Sequence, residues 1–201
     1  MKTKSEAKRQ AILAVAAETF GELGFERASM SEICARVGGS KATLYNHFAS
    51  KEELFLTVMF QASEHEFEAV HRLLDPDIGD VAGALRDFGR GFLAVLYSPQ
   101  VTAARRLVIA EAHRSELGRA CYALGPGKGD AALAGFLETA MQAGKLRPAE
   151  PRIAASHLRG LLEAELLERF LFGVLTDIGA EALGPMVERA VEVFMRAYGP
   201  T

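Results

Sequence analysis

No stretch of this chain can be read as a strand. No run alternates apolar and polar over a useful length, and no Asn-Gly or Asp-Gly pair separates two apolar runs. Apolar side chains recur instead every three or four residues almost from end to end, in an Ala-, Leu- and Glu-rich chain. Glycine and proline fall where that period lapses, so the pattern restricts the chain to an all-α architecture cut into segments. The first helix is expected over about Lys4 to Leu23, where Ile12, Ala16 and Phe20 form one stripe and Gly24 is the stop signal. Ser29-Met30-Ser31-Glu32 opens a short second helix that ends at Gly38-Gly39, and Ser40 can cap a third helix running to about His47. Ser50-Lys51-Glu52-Glu53 opens a fourth, reaching about Leu74 before Asp75-Pro76. Longer helices are expected over about 79–97, 100–117, 128–144, 151–173 and 178–198, with the segment 117–127 less regular.

With 201 residues, 49% of them apolar, a sizeable core is available. Cys34 and Cys121 are too far apart in sequence for a disulfide framework or a metal spacing. They fit a reducing cytoplasm, each as a small buried hydrophobe. The basic N-terminus is followed by no long apolar run, and no stretch of about 18 uncharged apolar residues occurs. Neither a signal peptide nor a membrane span is therefore expected. The net charge of −3 hides an asymmetry. Residues 1–51 carry eight Lys or Arg against five Glu, and the remainder fifteen against twenty-one acidic residues. A basic head on an acidic body suits a protein that sets one end on phosphate.

Residues 29–48 have helix-turn-helix spacing. Leu44 and Phe48 lie four apart and share one face, which should pack inward. Thr43, Tyr45, Asn46 and His47 then occupy other faces and offer a hydroxyl, a phenol, an amide and an imidazole, groups that phosphates and base edges can use. Lys51 opens the fourth helix with its charge opposed to the helix dipole, which a bound phosphate would relieve. No metal or catalytic constellation emerges. His65 and His71 are six apart rather than four, and Gly125-Pro126-Gly127-Lys128-Gly129 follows no strand and lacks phosphate-loop spacing. Neither a cofactor nor an enzymatic activity is expected.

The string from Gly38 through Phe48, followed by Ser50-Lys51-Glu52-Glu53-Leu54, resembles the DNA-binding signature of TetR-type repressors. Phe20-Gly21-Glu22-Leu23-Gly24-Phe25 and Met30-Ser31-Glu32-Ile33 match it too, so the likeness covers about residues 5–56. Arg106-Leu107-Val108-Ile109-Ala110-Glu111-Ala112 and the stretch to Gly173 resemble, more weakly, the AefR-type C-terminal domain. The resemblance implies phosphate contacts from Thr43, Tyr45 and Lys51, base-edge approach by Lys41, Ala42, Asn46 and His47, and a backbone position for Ser31. One residue departs from the family pattern: Gly39 stands where an apolar β-branched residue is usual.

In the C-terminal body, aromatic residues at helical spacing suit a core, and a regulator needs a cavity within it. Phe88, Phe92, Leu96, Val108, Ala112, Tyr122 and Phe136 are candidate lining residues, with Glu111, His113 and Glu163 as polar groups. Ile153, Leu158, Leu161, Leu162, Leu166 and Leu167, and Met186, Val187, Ala190, Val191, Phe194 and Met195, make the last two expected helices apolar on more than one side. A two-fold dimer through them would account for that and would set two recognition helices on a near-palindromic operator, the interface that the resemblance also implies. The expectation is thus an all-α, cytoplasmic, ligand-released repressor. Residues 1–50 form a three-helix helix-turn-helix head and residues 51–201 a ligand-binding and dimerisation bundle; the partners are double-stranded DNA, a second copy and a small molecule, with no membrane. Two other readings remain open: a helical binding protein or enzyme with a degenerate head, for which Gly39 is the one available feature, and a structural dimerisation module.

Overall fold

The computed structural model describes residues 4–75, 79–112, 117–175 and 178–200. Among them are eleven helices and no strand: α1 (Lys4–Arg27), α2 (Met30–Val37), α3 (Lys41–His47), α4 (Lys51–His71), α5 (Val81–Leu96), α6 (Pro99–Glu111), α7 (Leu117–Leu124), α8 (Pro126–Gln142), α9 (Pro151–Glu163), α10 (Leu167–Leu171) and α11 (Ala180–Tyr198). They form two compact units, Met1–Ala62 with Ala103–Cys121, and Ser63–Thr102 with Tyr122–Thr201. No described helix is long and apolar enough to cross a membrane.

The first unit is organised by the stripe read from the sequence. Ile12, Leu13, Ala16 and Phe20 of α1 are buried with Met30, Ile33 and Cys34 of α2, Leu44 of α3, Phe48, and Leu54, Phe55 and Val58 of α4. Phe20 meets Phe55 edge-on at 5.1 Å between ring centroids, and Phe25 lies 5.0 Å from the same ring. Gly24, at φ 74° and ψ 165°, is not helical, so the long first helix ends at this glycine as the sequence led us to expect, and a separate short turn carries the chain on to Arg27.

The second unit buries α5, α8, α9 and α11 around Leu85, Leu93, Leu137, Leu158, Leu162, Val187, Val191 and Phe194. Gly89 marks the closest approach. A Cβ built there would stand 2.8 Å from both Leu162 Cδ2 and Val187 Cγ1, so α5 can lie against α9 and α11 only without a side chain at this position. Pro126 and Pro151 each open a helix in the first turn, where a missing N–H costs no hydrogen bond.

Two expected helices are corrected. The segment 100–117 ends as α6 at Glu111, with α7 a separate element. The segment 151–173 is two helices parted by a turn at 164–166, where the Leu166 amide donates to Glu163 O at 2.9 Å and Leu166 is fully buried. The apolar surplus on these elements is also smaller than their period suggests. Leu158, Leu162, Leu166, Val187, Ala190, Val191 and Phe194 are consumed inside the unit, while Ile153, Leu167 and Val193 stay exposed with Leu171, Phe172 and Val174.

Substituting Gly89→Val is expected to lower stability by about 1–3 kcal/mol through overpacking, and Phe194→Ala by about 3–5 kcal/mol through the cavity it leaves. Chemical denaturation midpoints check both; an unchanged midpoint for Gly89→Val would contradict the close crossing.

Candidate nucleic-acid interface

α2, α3 and α4 each begin on a serine. Ser29 Oγ accepts from the Glu32 amide at 3.2 Å, Ser40 Oγ from the Thr43 amide at 3.1 Å, and Ser50 Oγ from the Glu53 amide at 3.1 Å. In the third case Glu53 Oε2 also reaches back past the cap and accepts from the Ala49 amide at 2.8 Å, a variant of the reciprocal capping box. In the first, the Glu32 carboxylate pairs instead with Arg36 Nη2 at 3.0 Å. The α2–α3 turn rests on Gly38, at φ 67° and ψ 47°, a left-handed conformation that a residue with a Cβ rarely adopts. The Gly38 amide donates to Ala35 O at 3.3 Å and the Gly39 amide to Cys34 O at 3.5 Å. The buried Cys34 thiol returns a hydrogen bond to Gly39 O at 3.1 Å, so this cysteine braces the turn from beneath.

These anchors orient α3. Leu44 and Phe48 are buried, which turns Lys41, Ala42, Tyr45 and Asn46 outward to solvent and leaves Thr43 and His47 partly buried. Tyr45 is a large aromatic with 49% of its surface open. Lys41, Tyr45, Asn46 and His47 have no hydrogen-bond partner among the described residues, whereas the Thr43 hydroxyl shares a 2.9 Å hydrogen bond with Ser40 Oγ. Ser31 is exposed on the first turn of α2. Two carboxylates near this surface, those of Glu22 and Glu32, are paired with one arginine. Arg36 holds Glu22 at 2.7 Å as well as Glu32, and both raise its pKa further above the ordinary arginine value.

The structure corrects the reading of Lys51 as a cation left against its own helix dipole. Its Nζ donates to Phe25 O at 3.0 Å and Ala28 O at 3.3 Å, and it stands 4.2 Å over the Phe25 ring. The charge therefore sits on the carbonyl end of α1, where the dipole favours it.

Among the candidate ligand residues, Val108, Glu111 and Ala112 fall in the first unit, and Phe88, Phe92, Leu96, Tyr122, Phe136 and Glu163 in the second. His113 lies outside the described residues. Phe88 and Phe136 are buried, and Phe88 stacks on Phe92 at 5.5 Å with an interplanar angle of 16°. Glu163 accepts from Tyr97 Oη at 2.9 Å, and Tyr122 is exposed. Two residues of this neighbourhood were missed by sequence reading: Tyr97, and His71, whose ring meets Phe88 edge-on at 5.8 Å. His71 Nδ1 lies 2.7 Å from Phe67 O, one helical turn back, so it donates there. The described residues contain no cluster of three or more metal-binding side chains. Burial pushes the Cys121 thiol up, against a smaller opposing effect of the Arg105 charge.

Comparison with known proteins decides the family. The model for bacterial regulatory proteins of the tetR family matches residues 12–58, and that for the AefR-like transcriptional repressor C-terminal domain matches residues 83–200, more than half of the chain. The chain belongs to the TetR family. It is a helix-turn-helix regulator of transcription, and α2–α3 lies within the segment that the tetR-family model matches. It is 41% identical over 76 residues to the transcriptional regulator UidR of Escherichia coli K12, a match spanning 38% of this chain and 37% of UidR. A TetR-family regulator from Mesorhizobium loti superposes with a TM-score of 0.83 at 30% identity, over 98% of this chain and all of that one. The flavonoid-responsive regulator FrrA does so with a TM-score of 0.72 at 33% identity, over 96% of this chain and 98% of its own.

Replacing Lys51 by Met is expected to cost about 1–2 kcal/mol of stability in the DNA-free protein, since two charge-assisted hydrogen bonds are lost. Tyr45→Phe should leave the denaturation midpoint in place. A Lys51→Met protein as stable as the parent would show that the ammonium does not hold α1.

Proposed function

We propose that the protein binds a near-palindromic operator as a homodimer, blocks transcription there, and releases the DNA when a small molecule enters the C-terminal body. The single observation that carries the DNA reading is the outward face of α3, where Lys41, Ala42, Tyr45 and Asn46 stand exposed while Leu44 and Phe48 are buried beneath them. In this reading Tyr45 and Thr43 hold phosphates, Lys41, Ala42, Asn46 and His47 meet base edges, and Ser31 bonds the backbone at the start of α2. Lys51 supports the head from within.

The apolar residues left exposed beside α9 and on α10 and α11, with Phe172 at 80% the most open, support self-association through the end of the chain. Two heads related by a two-fold axis would read half-sites about one helical turn apart. The stacked Phe88 and Phe92, with His71 and Tyr97 nearby in sequence order of the same unit, favour a planar aromatic effector. The relative FrrA is named as flavonoid-responsive, which makes a flavonoid the first probe. Release requires the effector to favour the free dimer over the bound one; the coupling equals that difference in affinity.

Fluorescence anisotropy on duplexes selected from genomic fragments tests this reading. Asn46→Ala is expected to relax base preference at one position in each half-site, at a cost of about 1–3 kcal/mol. A lone half-site bound as tightly as the full operator would contradict the dimer, and equal flavonoid affinity with and without DNA would remove flavonoid as the effector.

A further inference from the structure

The side chain absent at Gly39 has a neighbour 31 positions upstream. A Cβ built on Gly39 would stand 3.5 Å from Lys8 Nζ and 3.7 Å from Lys8 Cε. Lys8 and Gly39 share a small surface recess with Ser40 and Thr43, the cap and the third residue of α3. The Lys8 ammonium thus lies over the α2–α3 turn, at van der Waals distance from position 39. It has no carboxylate partner among the described residues, and Glu6, the acidic residue of the first turn of α1, accepts from Gln10 at 3.0 Å. Arg9, the next residue, diverges around the helix, and its guanidinium lies 5.0 Å over the Phe48 ring at the other end of α3. An unpaired ammonium held beside the exposed N-terminal end of a recognition helix is a point charge placed for a phosphate, not a fork shaped for a base.

We infer that Lys8 is a phosphate anchor of the DNA interface. This rests on the DNA face proposed above. It makes α1 a third contacting element beside α2 and α3. A phosphate contact is indifferent to base sequence, so Lys8 contributes to affinity and to salt dependence but not to operator choice.

The test measures binding of the full-length protein to its selected duplex and to a scrambled duplex across a salt series. Lys8→Ala is expected to weaken both by a similar factor, about five- to tenfold, and to make the slope of log K against log salt shallower by about one. Lys8→Arg should keep the parental slope. Lys128→Ala, which removes the same charge from the second unit, should not change it. Thermal melts of each variant separate a binding loss from a folding one, and Lys8→Gln serves if Lys8→Ala melts early. An unchanged slope in a folded Lys8→Ala or Lys8→Gln protein overturns the inference alone. A parent protein that binds neither duplex at low salt overturns the DNA face itself.

Discussion

The burial of Leu44 and Phe48 is the constraint on which the rest of the head depends. A helix of seven residues does not persist in water by itself, because the first turn fixes several dihedrals for one hydrogen bond. α3 exists because these two side chains enter a core already formed by Ile12, Leu13 and Ala16 of α1, Ile33 of α2 and Leu54 of α4. Once they are in, the helical repeat leaves no freedom about what points outward. The serine cap, the left-handed Gly38 and the Cys34 thiol on Gly39 O refine the angle, but none would form a helix without the apolar anchor.

Charge in the head is distributed in keeping with that orientation. Three acidic groups near α2 and α3 have local partners: Glu22 and Glu32 on Arg36, and Glu53 on the Ala49 amide. Paired in this way, they repel an approaching polyanion less, and Lys41 is left exposed on α3. Lys51 is not left so. It is spent on the carbonyl end of α1, so its contribution passes through the position of α4 against α1 and the Phe20, Phe25 and Phe55 cluster.

Much of this is legible in the chain because the signals are local. A serine before an apolar period, a glycine after it and a pair of apolar residues four apart act over a single turn, and the three head caps and the inward face of α3 follow from them. What could not be read depends on residues distant in sequence. Nothing local distinguishes Glu32, which turns to Arg36, from Glu53, which reaches back past its cap. Leu161 through Leu167 contains only good helix formers, so the turn at 164–166 has no punctuation to announce it; the burial of Leu166 settles it. The Lys51 carbonyl partners lie 23 and 26 residues away, and Lys8 meets Gly39 only after α1 and α2 have packed. Cavity-lining residues are the least legible group, since Phe88, Tyr122 and Phe136 have the same period whether buried or exposed.

The central claim is that the outward face of α3 meets DNA. Hydrogen–deuterium exchange of the protein, alone and saturated with a duplex selected from genomic fragments, tests it most directly. A seven-residue helix held by two side chains exchanges readily when free. The account predicts that DNA slows exchange most strongly across residues 40–48, with a weaker effect at the start of α1. Unchanged exchange in 40–48, with protection confined to α5 through α11, would contradict it.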